Sequence, residues 1–322
     1  MIYPWQQSQW RRLMAQYQQG RFPHALLLTG PAGLGQLELA GQLAQFLLCK
    51  QPTDQPCGCC PSCRLVLANN HPDLWNVVPE ERGKNIKIDQ IRSLIFNLSQ
   101  TAQRAGNQVA IIAPAEALNR AAANALLKTL EEPAEKVILL LVSHQPGALP
   151  ATITSRCQPI KFHAENADIW LNAQLQTLNI AADAHILLKI SEQAPLRALE
   201  LAQNNYLSLR DQFLKHLVLT SQRKTALLAA VPDFLQQDLM LWIDIFISLV
   251  SDLIRLHLGV NPSLLTHSDR LSPLQQLTQS HPLPTLLPLQ TQLTQTRQWL
   301  SNSQIHLNEQ LLLESLLICW SK

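Results

Sequence analysis

The stretch 25–40, ALLLTGPAGLGQLELA, constrains this chain more than any other. An apolar run at 26–28 enters a turn carrying Gly30, Gly33 and Gly35, and a helical pattern resumes at Leu37. A buried strand, a loop of backbone N–H groups and a helix N-terminus together make the layout of a phosphate-binding loop. The working template G-x-x-x-x-G-K-[ST] reads here Gly30-Pro31-Ala32-Gly33-Leu34-Gly35-Gln36-Leu37. Gln36 stands where a lysine would neutralise the β/γ-phosphates, and Leu37 where a hydroxyl would hold Mg²⁺. The frame of an ATP site is expected without its charge. An ordinary strand-to-helix turn is the plainer reading of the same residues, and backbone amides alone leave residual nucleotide binding open.

A second omission matches the first. A working site pairs its lysine with acidic residues at the end of a neighbouring strand, where they hold Mg²⁺ and orient water. The equivalent strand here, 109–113 (VAIIA), runs into Pro114-Ala115-Glu116, and Glu116 lies beyond the place of an Asp-Glu pair. ATP hydrolysis by this chain alone is not expected.

The cysteines carry the most specific spacing. Five of the seven fall in 49–63, and Cys49-x7-Cys57-x2-Cys60-x2-Cys63 offers four thiolates to one ion. Four sulfurs in a tetrahedron suit Zn²⁺ in a closed structural site. Cys59 is a fifth thiol, expected to point away. Buried or redox cysteines are the alternative. With no apolar segment of signal-peptide length in MIYPWQQSQWRRLM, the cluster reads as metal binding in a reducing cytoplasm rather than as disulfides.

The 322 residues, 47% of them hydrophobic, leave room for two or three domains with sizeable cores. A formal charge of +2 supplies no global field toward nucleic acid, and no run reaches the ~20 apolar residues that span a bilayer. Strands are expected at 25–28, 74–78, 109–113 and 137–142, with a short extended piece at 160–162. Helices are expected at 9–18, 37–48, 89–98 and 121–130, Asp89 serving as N-cap of the third. Strands alternating with helices predict a parallel α/β layer. After His163 the strand pattern ends. Short helices at 164–204 lead into long ones at 207–218, 239–258 and 304–318, broken at 259–273 and 282–288.

Thr154-Ser155-Arg156-Cys157 follows the last long strand. A guanidinium at a domain edge can complete a neighbouring subunit's phosphate site, being always charged and able to address phosphate oxygens in pairs. Taken alone, such an arginine is an ordinary surface or salt-bridge residue.

The segment 121–133, AAANALLKTLEEP, then 149–157, LPATITSRC, resemble the bacterial DNA polymerase III clamp-loader subunits of the AAA+ superfamily. His24-Ala25-Leu26-Leu27-Leu28, Ile88-Asp89-Gln90-Ile91-Arg92 and Asn308–Glu314 (NEQLLLE) match as well, so the likeness covers nearly the full length. Within that family the degenerate loop with an intact Ser-Arg-Cys resembles the branch that lacks ATPase residues.

The resemblance implies an AAA+ ATPase-like parallel-sheet domain at 1–163 with a zinc insert at about 49–63. A small helical lid follows at 164–206 and an all-α collar at 207–322. It implies Arg156 as an arginine finger acting in trans on an adjacent motor subunit. Cys49, Cys57, Cys60 and Cys63 would be ligands of a structural zinc, and Gly30, Gly33, Gly35, Gln36 and Leu37 a vestigial loop holding no ATP. Arg197, in Pro195-Leu196-Arg197-Ala198-Leu199, falls where active members place a nucleotide-sensing arginine, a salt bridge being the alternative. The implied partners are the motor and delta subunits, with the sliding clamp and primer-template DNA reached through the complex, and no membrane. Two rivals are an autonomous AAA+ ATPase and a zinc-containing nucleic-acid-binding module; Gln36 opposes the first and near-zero charge the second.

Overall fold

The computed structural model describes residues 2–81, 83–104, 106–222, 239–301 and 308–321. They fall into two compact units, Met1–Trp170 with Ala194–Arg197, and Leu171–Gln193 with Ala198–Lys322.

The first unit is built on five strands, β1 (Ala25–Thr29), β2 (Leu74–Val77), β3 (Gln108–Ile112), β4 (Val137–Ser143) and β5 (Gln158–Lys161). They form one parallel sheet in the order β2-β3-β4-β1-β5. Every residue of β1, β3 and β4 is buried, which is why these strands read as unbroken apolar runs. Side chains alternate between two helical layers. Leu26 and Leu28 face a core shared with Trp10 and Leu13 of α1 (Gln7–Gln18) and Leu39 and Leu43 of α2 (Gln36–Leu48). Ala25 and Leu27 face the opposite core, with Ile91 and Leu94 of α4 (Ile88–Leu98) and Ala122 and Leu126 of α5 (Arg120–Glu131). A short helix, α3 (Pro61–Leu67), lies in the cysteine insert, and α6 (Ala151–Thr154) precedes β5.

One expectation about α4 is corrected. Its N-cap is Lys87, and Asp89 is the second helical residue. Ile86 donates its N–H to Ala117 O at 2.7 Å and so fixes where the chain turns, and Gln90 Oε1 accepts the Lys87 N–H at 3.0 Å. Asp89 is left to act on the helix dipole from the first turn.

The second unit is helical in its described residues. It comprises the end of α7 (Ala167–Thr177), α8 (Ala184–Ile190), most of α9 (Pro195–Gln203), α10 (Tyr206–Gln222), α11 (Leu239–His257), α12 (Leu271–Ser280), α13 (Leu283–Ser301) and α14 (Glu309–Trp320). Residues 304–307 of the expected last helix lie outside the described residues. The expected break at 282–288 is shorter than that, His281–Pro282 between α12 and α13, because α13 starts at Leu283 and runs through Pro288. Leu286, Leu289 and Leu293 are buried in the helical core on either side of it. That packing outweighs the backbone bond the proline cannot make.

Beneath this core Arg210, 1% exposed, sends a bidentate fork to Asp269 at 2.9 and 2.7 Å. Asp252, fully buried, accepts the N–H groups of His267 at 2.7 Å and Thr266 at 3.1 Å. Both charges are satisfied, as burial requires. Among the described residues no helix is long and apolar enough to cross a membrane.

Candidate functional site

The phosphate-loop residues do come together between β1 and α2, and the chain's own donors hold the loop by its carbonyl oxygens. Gly35 caps α2 at φ +78° and Gly33 sits at φ +90°, conformations that side chains resist. A Cβ on Gly33 would lie 2.8 Å from the backbone nitrogen of Arg197, and one on Gly35 2.7 Å from the Tyr3 ring. Gln36, 1% exposed, turns inward and donates to Gly30 O and Pro31 O, each at 2.8 Å. From outside the loop, Trp5 Nε1 donates to Leu34 O at 2.9 Å. Gln6 Nε2 bonds Leu34 O at 2.8 Å and Gly35 O at 2.7 Å, and the Leu196 N–H reaches Gly33 O at 3.1 Å.

Tyr3 stacks on Trp5 with centroids 5.0 Å apart, and Trp170 closes edge-on against both. The N-terminal turn and segment 194–197 thus hold the loop from two sides. Leu37, meanwhile, is 51% exposed. Tyr3-Pro4-Trp5 also resembles the opening of the family's chains, but nothing in the sequence pattern places Trp5 or Gln6 against the loop. Glu116 accepts the His144 N–H through Oε1 at 3.0 Å, while its Oε2 and the Ser143 hydroxyl are buried without a hydrogen-bond partner among the described residues.

The four thiols form the second cluster. Cys49 follows the last residue of α2, Cys60 is the N-cap of α3 and Cys63 lies one turn into it, with Pro61 starting the helix between them. The sulfurs of Cys49, Cys57, Cys60 and Cys63 lie within 4.8 Å of one another. Cys49 and Cys57 are 3.5 Å apart at sulfur, well beyond disulfide length. Backbone N–H groups point at the sulfurs: Cys57 N at Cys49, Cys60 N at Cys57, Cys63 N at Cys60, each 3.4 Å.

Burial pushes the Cys49 and Cys63 thiols up, whereas the N–H groups of Cys60 and Cys59 pull Cys57 down to about 6. Converging sulfurs with N–H donors behind them fit a tetrahedral divalent ion, so the cluster can hold a metal. Cys59 is exposed and stands outside the set.

Arg156 lies between α6 and β5. Its Nη2 pairs with Glu131 Oε1 at 2.5 Å and its Nη1 donates to Thr152 O at 2.9 Å, with the side chain 35% exposed. Ile153 and Cys157 on either side are buried in the sheet core, which turns the arginine outward. Burial holds the Cys157 thiol at about 11, so it acts as a small apolar side chain. Arg197 follows the residue whose N–H bonds Gly33 O, at the edge of the loop.

A parallel α/β domain with a phosphate-loop frame and a thiol insert, followed by a helical C-terminal region, defines an AAA+ ATPase-like chain. The DNA polymerase III, delta subunit family matches residues 5–166, and the C-terminal family of the same subunit matches residues 204–322. The DNA polymerase III subunit delta' of Yersinia pestis is 37% identical over 325 residues, covering 99% of this chain and 95% of that one. That of Pseudomonas aeruginosa is also 37% identical, over 99% of this chain and 97% of its own. The tau subunit of Escherichia coli aligns at 36% identity over 60% of this chain and 29% of that protein. The chain belongs to the DNA polymerase III delta' subunit family.

Proposed function

We propose that this chain is the non-hydrolysing subunit of a hetero-oligomeric clamp loader, lending Arg156 to the ATP site of a neighbouring motor subunit. One observation carries the reading: Gln36 and Leu37 stand where the template needs a lysine and a Mg²⁺ hydroxyl, and Gln36 is turned inward onto Gly30 O and Pro31 O. A subunit without a nucleotide cycle keeps a fixed frame, and a fixed frame suits a group that must meet another subunit's phosphate accurately.

Arg156 supports its part of the reading by its place, held outward on a buried base. The motor and delta subunits are the direct partners. The sliding clamp and primer-template DNA are reached through the complex, in the cytoplasm. The division into an ATPase-like domain (1–163), a lid (164–206) and an oligomerising collar (207–322) belongs to the same proposal. So does a structural zinc on Cys49, Cys57, Cys60 and Cys63, which would tie the insert into one folded unit.

The test is reconstitution with candidate replication subunits, followed by ATPase assays with and without this chain. Stimulation that requires Arg156, and no turnover by this chain alone, is expected. Turnover by the isolated chain would instead make it an autonomous ATPase.

A further inference from the structure

Beside the four thiols lies a polar chain that the loop and the arginine do not use. Ser62, His71 and Asp73 are buried polar residues in a layer otherwise made of apolar side chains. The Asp73 N–H donates to His71 Nδ1 at 3.1 Å, which makes Nδ1 an acceptor and leaves the proton on Nε2. Nε2 faces the Ser62 hydroxyl at 2.7 Å, so the hydroxyl accepts there and donates its own proton to Leu48 O at 2.6 Å.

The far end of the chain is fixed as well. The Asp73 carboxylate accepts the N–H groups of Gln103 and Arg104 at 2.8 and 3.1 Å, and its carbonyl accepts from Val109 of β3 at 3.0 Å. Each proton in the run has one acceptor, so the run is a strut from the sheet to the insert.

What the strut ends on is the point. Leu48 immediately precedes Cys49, and Ser62 immediately precedes Cys63. One hydroxyl therefore fixes the spacing of the two buried thiols, while Cys57 and Cys60 lie on the outer, more exposed side. Leu48 O is also one of the last-turn carbonyls of α2 that the helix cannot satisfy itself, as is Leu47 O, which Asn107 Nδ2 takes at 2.8 Å.

We infer that Ser62 and His71 are positioning residues of the four-thiol metal site: they preset its buried half, Cys49 and Cys63, so that an ion has only to draw in Cys57 and Cys60. The inference rests on the reading that the thiols take a metal. Presetting raises affinity because the cost of ordering two of the four ligands is met by the fold before the ion arrives.

The test uses the full chain, zinc and a competing chromophoric chelator, with melting of zinc-loaded and stripped protein measured in parallel. Ser62→Ala and His71→Phe should bind zinc about 10–100-fold more weakly than the parent. His71→Gln, which keeps a donor near the Nε2 position, should retain most of the affinity. The zinc-loaded forms of the first two should lose more melting temperature than the stripped forms. Equal losses in both forms with unchanged zinc affinity would make the strut a support of the fold alone and overturn the inference. A parent chain holding less than about half an equivalent of zinc would instead remove the metal reading itself, and the inference with it.

Discussion

Arg156 is paired with Glu131, the last residue of α5, at 2.5 Å. The pair joins the two family-like segments, NALLKTLEEP and TSRC, into one surface feature. Because the pair is partly exposed, releasing the guanidinium costs only about 0–1 kcal/mol, so the same arginine can rest on Glu131 and reach a partner's phosphate. Arg156→Ala should leave assembly intact, and the one motor site this arginine serves should slow by ~10³-fold or more. Glu131→Gln should change stability by less than about 1 kcal/mol and leave that site active. ATPase assays on the reconstituted complex, with gel filtration as the control, check both; undiminished ATPase in Arg156→Ala rejects the trans role.

Restoring the template should not restore nucleotide binding. In Gln36→Lys/Leu37→Ser the lysine and hydroxyl return, yet the acidic pair that would follow β3 to hold Mg²⁺ is still missing, Pro114 and Ala115 standing there instead. Loss of the two inward Gln36 bonds should cost about 1–3 kcal/mol of stability. Isothermal titration with millimolar ATP should give no measurable heat of binding, and tight binding by the double variant would show that the missing lysine and hydroxyl by themselves empty the site.

The thiol cluster gives a stoichiometric prediction. Purified protein should carry about one zinc per chain, with Cys63→Ser or Cys49→Ser losing it and Cys59→Ser keeping it. Chelation should lower the melting temperature of the parent and leave Cys63→Ser unchanged. Elemental analysis with differential scanning calorimetry measures both quantities.

The helical unit should be acid-sensitive through His267. Burial, helped by the nearby Arg210 charge, holds this imidazole at about 4, below its ordinary 6.5, against the pull of Asp252, Asp269 and Asp211. Its Nδ1 faces Arg210 Nη1 at 3.4 Å and its Nε2 the Ser248 hydroxyl at 3.0 Å, contacts a neutral ring satisfies. The unfolded chain takes up this proton first. The contribution is therefore whole above pH 6.5 and falls away as pH drops toward 4, by at most about 3 kcal/mol. Urea titrations from pH 7 to 5 should show this decline, and His267→Gln should flatten it.

The sheet was legible because its strands are buried on both faces, so that VILLLV and VAIIA admit no other reading. Cysteine spacing carried the thiol cluster for a similar reason: the x2 intervals are local. What escaped depended on distant partners. Ile86 bonding Ala117 moved the start of α4, and leucines packed elsewhere in the helical core carried α13 past Pro288. The Trp5 and Gln6 bonds to the loop span nearly thirty residues, and the Ser62–His71 contact pairs two side chains common in any loop. Local pattern located the frame; the groups that close it are set by tertiary contact.

The position of β1 inside the sheet has a consequence for synthesis. Among the described residues its strand neighbours are β4 and β5, while β2 pairs with β3. An emerging chain therefore presents Ala25–Thr29, wholly apolar but for its last residue, long before either neighbour exists. At bacterial elongation rates the roughly 110 further residues to the end of β4 take on the order of ten seconds to make. For that interval on the ribosome the segment has no strand to pair with, and its shelter must come from α1 and α2, which flank it in the chain, or from a chaperone.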